Sequence, residues 1–276
     1  MKGKHNKISI LTIIIVSAFS LLITSGCMGN SQEYKYSETI GGIPVYSDIP
    51  LSEVENWNEM LPGHKNDTSA RGCVLEISSV LSSTREGPEV NVEKSDVTGI
   101  YIRENSANIK GSSDDDLRNA CHIFVCIKEG IKCPGNLNKI KEVMGSDRLI
   151  TVVGEDVQGA GVRGYAEIMI ALGYLQAENL DHGKASFIVP YLKQGGVCKL
   201  QPFRNQYQII NETLANETVN NCDVKGIFIE KSDKNEIIIE DDRILLLGDD
   251  KHLYSESIIV SDVIAPELRL KMHQQN

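Results

Sequence analysis

Aromatic residues make up only 5% of this chain, and Trp57 is its single tryptophan. Sugar-binding platforms display several exposed rings, so the scarcity counts against carbohydrate recognition. Basic residues are also few, 28 against 38 acids, for a formal net charge of −10. An acidic surface repels phosphate backbones and anionic headgroups, which argues against nucleic acid as a partner and against electrostatic docking on a membrane. The simplest use of such a charge is solubility. There is no C-x-x-C, so a thioredoxin-like redox centre has nothing to rest on. Neither G-x-S-x-G nor H-E-x-x-H occurs, and His64, His122, His182, His252 and His273 stand in unrelated contexts. His122, inside an apolar segment, reads as a satisfied core group. The acidic runs Asp114-Asp115-Asp116, Glu240-Asp241-Asp242 and Asp249-Asp250 lack the alternating D-x-D-x-D-G of a calcium loop. They read as solvated turns and helix caps. The sequence assigns no cofactor, no metal and no catalytic residue.

What is present begins at the first residues. Lys2, Lys4 and Lys7 precede an apolar run from Ile8 to Ile23, then the small residues Thr24, Ser25 and Gly26, then Cys27. That order is a secretory signal with a cysteine at its end. It resembles the signal of prokaryotic lipoproteins, over about the first 28 residues. In that family a leucine usually stands three places before the modified cysteine, where this chain has Thr24 with Leu22 and Ile23 just upstream. The resemblance implies lipid attachment at Cys27 and a domain held on the outer face of the cell membrane. The other reading is an uncleaved single N-terminal transmembrane helix. Ile8 to Ile23 as a helix reaches about 24 Å, short of the ~30 Å hydrocarbon core, whereas extension to Met28 reaches about 31 Å. Without residues 1–26, the exported part holds 25 basic and 38 acidic residues.

Six further cysteines remain, Cys73, Cys121, Cys126, Cys133, Cys198 and Cys222. An even number outside the cell reads as disulfides, and the sequence does not choose among the fifteen pairings. Cys121, His122, Cys126 and Cys133 form a local cluster, but without the C-x₂-C pairs of structural zinc sites. Asn66, Asn211 and Asn216 each open an Asn-x-Thr sequon, the acceptor for a glycan on an exported surface. A lipoprotein-type signal together with sequons fits an archaeal source better than a bacterial one.

The organisation after the signal suggests a duplication. Asp96-Val97-Thr98-Gly99-Ile100-Tyr101-Ile102 recurs as Asp223-Val224-Lys225-Gly226-Ile227-Phe228-Ile229. A glycine-flanked cysteine, Cys73 or Cys198, precedes each, and a strand ending in Gly111 or Gly248 plus acids follows. Two copies are expected, roughly 71–133 and 196–265. Ser113 with Asp116 marks a helix start, and Gly130 a stop, so a helix is expected from Asp114 to about Glu129. Ser255–Ile264 is richer in β-branched residues and reads as a strand. Leu149–Val153 reads as a short buried strand, and Arg163–Glu178 has helical apolar spacing. The fold class expected is α+β, with mixed α/β as the alternative, stabilised by disulfides. The chain then divides into a signal (1–26), a lipid-anchored spacer (27–43), a first unit (44–135), a central strand–helix segment (136–195), a second unit (196–265) and a tail (266–276).

One loop resembles a ligand motif. Gly159-Ala160-Gly161-Val162-Arg163-Gly164 matches G-x-G-x-x-G between strand and helix. However, the strand ends five residues earlier, at Gly154, and Glu155 and Asp156 repel phosphate. A surface ligand loop at Gly154, Gly159, Gly161 and Gly164 is the better reading, since glycines allow close backbone approach. The leading functional expectation is therefore a non-enzymatic, membrane-tethered protein with a small-molecule or envelope partner. The alternatives are a secreted hydrolase pairing Glu155 or Asp156 with Glu167, and a solute-binding lipoprotein of a transporter.

Overall fold

A computed structural model describes residues 34–57, 61–62, 88–145, 149–181, 187–194, 197–200, 226–266 and 268. The chain divides at Tyr34, and every element described here belongs to the unit Lys35–Asn276. In chain order these are β1 (Tyr36–Ile40), β2 (Ile43–Ser47), α1 (Leu51–Val54), β3 (Leu61–Pro62), β4 (Glu89–Lys94), β5 (Gly99–Arg103) and β6 (Ser106–Gly111). They continue with α2 (Asp114–Glu129), α3 (Lys139–Gly145), β7 (Leu149–Glu155), α4 (Ala160–Asp181), β8 (Phe187–Gln194) and β9 (Val197–Leu200). The last are β10 (Gly226–Lys231), β11 (Glu236–Ile239), β12 (Arg243–Gly248) and α5 (Asp250–Ile264). Helices and two mixed sheets make the α+β class expected from the sequence.

The expected spacer, 27–43, needs correction, because β1 lies inside it. Gly41 and Gly42 have φ of 57° and 82°. Two consecutive positive φ values form the tight turn whose twist matches paired strands, so the chain folds back as the β1–β2 hairpin. The first sheet then runs β1-β2-β5-β6-β4-β3. Val45, Ile100, Ile109 and Val92 lie side by side across four of its strands, all buried. They form the floor on which α2 packs.

α2 begins and ends where the sequence indicates. The Ser113 side chain accepts the Asp116 N–H at 3.1 Å, and three acids occupy the positive end of the helix dipole. The Ser112 and Ser113 hydroxyls also donate to the Asp116 carboxylate and hold it below the usual carboxylate range. Gly130, at φ 63°, closes the last turn. Cys126 and Cys133 then form a disulfide that ties the end of α2 to the turn after it. Cys121 is disulfide-bonded as well.

The second sheet runs β11-β12-β10-β7-β8-β9, with β12, β10, β7 and β8 mutually parallel. Val152, Ile227 and Ile244 form a fully buried row across it. α4 and α5 cover that face, and α5 also packs on α2. α2 packs between the first sheet and α5, and α5 between α2 and the second sheet, which is why α2 from Ala120 to Glu129 and α5 from Ser255 to Ile264 are buried on every side. The expected strand at Ser255–Ile264 is therefore corrected to helix. Asp249 caps it by accepting from the Lys251 and His252 N–H groups, and packing overrides the β-branched composition.

A shared topology underlies both sheets. The order β5-β6-β4-β3 in one matches β11-β12-β10-β7 in the other, and each hairpin leads into a helix, α2 or α5. Ser95 N–H donates to the Gly111 carbonyl, as Ser232 N–H does to that of Gly248. Each of these glycines lies against a helix leucine, Leu117 or Leu253. The matched pair of seven-residue segments is a different matter. Asp96–Ile102 feeds β5 whereas Asp223–Ile229 feeds β10, and β10 corresponds to β4 in the shared order. Both segments say "half-buried strand after a glycine", which does not state the position within a sheet.

Two polar bridges join the inner layers. His122 of α2, fully buried, is 2.9 Å from the Asp262 carboxylate of α5, and Arg118 approaches the same oxygen at 3.5 Å. Glu129 receives Lys128 at 2.8 Å and Lys251 at 3.0 Å. Burial pushes the Glu129 carboxyl up, but the two ammonium groups outweigh it and hold the group below its ordinary value.

Candidate functional site at the carboxyl ends of β7 and β10

In an open sheet of parallel strands, ligands bind outside the carboxyl ends of strands at the point where strand order reverses. That point here lies between β7 and β10. From β7 the chain passes through α4 to β8 on one side, and β10 is laid down on the other. β7 ends in Glu155 and β10 has Glu230 just before its last residue, and the two glutamates are direct register partners. Period-two alternation places them on the outer face with Val153 and Phe228, whereas Val152, Ile227 and Ile229 face the helices.

Lys193 of β8 is the register partner of Glu155 on its other side, and its ammonium donates to the Glu155 carboxylate at 2.6 Å. The row Lys193–Glu155–Glu230 thus holds two carboxyls and one ammonium, and the ion pair is about a quarter exposed. Partial burial and the neighbouring Glu155 charge raise the Glu230 carboxyl above its ordinary value, against the pull of Lys193 and Arg243. Arg243 reaches this face over the Phe228 ring, 5.5 Å from its centroid.

The loop that follows is set by strained backbone. Asp156 has φ 52°, the one non-glycine with positive φ among the described residues, and its N–H donates to the Lys193 carbonyl at 3.1 Å. Such a conformation costs on the order of 1 kcal/mol in a non-glycine residue. It turns the chain abruptly after Glu155, so that the Gln158 N–H meets the Asp250 carboxylate of α5 at 3.1 Å. Lys231 lies 3.6 Å from the other oxygen of Asp250. Four acids (Glu155, Asp156, Glu230, Asp250) and two lysines (Lys193, Lys231) therefore ring the crest between β7, β10 and the start of α5, an arrangement complementary to a cationic group.

The ligand-loop glycines are placed as follows. Gly154 is the buried residue before the end of β7, where a Cβ would sit 3.1 Å from Leu192, Tyr165 and Val157. Gly159, at φ 51°, is open to solvent. A Cβ on Gly161 would meet Asp250 at 3.0 Å, and one on Gly164 would meet the Ser257 hydroxyl at 2.6 Å and the Leu253 carbonyl at 2.9 Å. These two glycines allow α4 to approach α5 closely, and the anion at the loop's backbone N–H is the protein's own Asp250. Gly164→Ala is accordingly expected to lose about 1–3 kcal/mol of stability by overpacking. Urea denaturation checks this; an unchanged midpoint would mean that the helices give way freely.

Glu167 lies on α4, which covers the inner face, so the structure does not set it beside Glu155. The partner that Glu155 has is Glu230, which sequence reasoning missed; a glutamate closing the Ile-Phe-Ile run was visible, its register was not. Cys198 lies on β9. Cys27, Cys73 and Cys222 and the sequons at Asn66, Asn211 and Asn216 lie outside the described residues. Among the described residues, no helix is long and apolar enough to cross a membrane, and no group of three histidine, cysteine or acidic side chains is gathered for a metal ion. No family model, curated protein or solved structure matches the chain.

Proposed function

We propose that this chain is an extracytoplasmic binding protein tethered to the membrane through Cys27, and that its ligand presents an amine or guanidinium to the crest at the ends of β7 and β10. The observation that carries this reading is the Lys193–Glu155–Glu230 row at the strand-order reversal: two partly desolvated carboxyls share one ammonium within the row, and with Arg243 and Lys231 counted the four acids of the crest still outnumber its cations where sheets of this kind receive ligands. Tethering rests on the order of residues from Lys2 to Cys27.

The test has two arms. Intact mass of the membrane-extracted protein is expected to show loss of residues 1–26 with an added lipid; a full-length mass sinks the lipid anchor. Calorimetric titration with spermidine and with arginine methyl ester is expected to show binding that is lost in the double variant Glu155→Gln/Glu230→Gln. Equal heats for parent and variant would refute the site and leave an envelope-structural role.

A specific observation favours a second reading, hydrolysis by a carboxyl pair. Glu155 is ion-paired with Lys193, whereas burial and the Glu155 charge raise the Glu230 carboxyl above its ordinary value, an asymmetry of the kind that sets an acid beside a base. Turnover of activated glycoside or ester substrates that vanishes in Glu155→Gln would establish it.

A further inference from the structure

Glu256 has no part in the crest and no ordinary structural duty. It lies in the middle of α5 with no exposed surface, and neither carboxyl oxygen has a hydrogen-bond partner. The Glu236 backbone N–H of β11 favours the charged form without reaching hydrogen-bond geometry. Its surroundings are otherwise hostile to charge. One oxygen faces Gly248 at the end of β12, where a Cβ would lie 3.5 Å away. The carboxylates of Asp249 and Glu236 both repel a negative charge there.

The fold does not require a carboxyl at this position. In the shared topology Leu117 of α2 corresponds to Leu253 of α5, each four residues after its cap. Counting three onward sets Ala120 against Glu256, and Ala120 is equally buried. The same architecture, built twice in one chain, fills the site once with a methyl group and once with an acid.

Among the described residues, no cation on the neighbouring elements is directed at it. On α5 itself, His252 is bonded to Asp249, Lys251 to Glu129, and Asp250 faces Lys231 of β10. From β11, Glu236 is paired with Lys132 of the segment after α2. On α2, Arg118 and His122 serve Asp262, in the second half of α5. On β12, Arg243 lies at the opposite end of the strand on the outer face. The charged residues of α3, Lys139, Lys141 and Glu142, are exposed, and Arg163 of α4 is exposed as well.

We propose that Glu256 is a proton-linked latch on α5: the first two turns of the helix stay seated on the β11–β12 hairpin while the carboxyl keeps its proton, and open more readily as the outside pH rises. Each opening delivers the carboxyl to water, where it surrenders the proton, so proton removal draws the helix toward the open form. Because Asp250 on the same turns holds the Gln158 N–H, opening also frees the loop ahead of α4. Burial, which raises the carboxyl to about 9, sets the range over which the linkage acts.

Hydrogen exchange between pH 6 and 10 tests this on the full chain, with rates corrected for intrinsic base catalysis. In the parent, protection of the Lys251 to Glu256 and Gln158 amides is expected to fall about tenfold per pH unit from 6 to 8 and to level off near 9. Amides of β5, β6 and α2, which report other openings, are expected to be less steep. In Glu256→Gln the slope is expected to vanish. In Glu236→Gln, which removes a repelling charge, the levelling is expected at lower pH. The proposal is overturned by a slope that survives in Glu256→Gln, or by equal slopes in α5 and in β5–β6. Should Glu256→Gln not fold, an unmoved levelling point in Glu236→Gln overturns it equally.

Discussion

At pH 7, Glu256→Gln is expected to be more stable than the parent by about 3 kcal/mol, from the roughly 2.5 pH units that separate neutrality from the carboxyl's ordinary value. The sign follows from proton counting. Unfolded, the glutamate titrates near 4.5; folded, burial first and then the charges of Asp249 and Glu236 hold it near 9. Between those values the folded chain binds the extra proton, so stability falls as pH rises through that window and is flat on either side. Glutamine keeps the shape and polarity of the protonated acid but has no proton to lose. Its buried amide bears the same unmet hydrogen bonding as the acid, so that cost cancels in the comparison. Urea denaturation from pH 4 to 9 should show the two proteins alike at the acid end and diverging steadily toward neutrality. Parallel curves would mean that Glu256 is solvated or paired in the folded state.

The second large effect lies between α2 and α5. Asp262→Ala removes the carboxylate that serves buried His122 and Arg118, and is expected to lose about 3–5 kcal/mol, the usual consequence of breaking a buried polar pair from one side. The double variant with His122→Ala should lose less than the sum of the two single changes, because the second substitution removes the group left stranded by the first. Strict additivity would show that the two side chains do not interact in solution. This bridge crosses between the two halves of the shared topology, so its loss should also narrow the cooperativity of unfolding, read as a smaller denaturant slope.

Legibility followed the range of the forces. α2 was readable to the residue, because Ser113, the acids after it and Gly130 act within one turn of the helix ends. α5 was not, although it has an equally good cap at Asp249. Ile258, Ile259, Val260, Val263 and Ile264 suit a strand, and a helix buried on all sides shows no amphipathic period to contradict them. The strand Tyr36–Ile40 is hidden for a similar reason, since an exposed edge strand has little apolar signature and its existence rests on the Gly41-Gly42 turn and on β2. At the crest, Glu155 and Asp156 are legible as acids after a buried strand, but nothing local names their neighbour. Glu230 is 75 residues away, and only the parallel register of β7 and β10 makes it the neighbour.

The sequence by itself determined the α+β class, the ends of α2, the strand at β7, the helical period of α4 and the acidic balance of the surface. All of these depend on side chains within a few residues of one another, or on composition. Only the tertiary structure decided that α5 is a helix, that Gly161 and Gly164 serve helix packing, that Glu230 stands beside Glu155, and that Glu256 is sealed in with no partner. Those outcomes depend on which surfaces meet, and burial on all sides or register across a sheet leaves no periodic trace in the chain that folds into it.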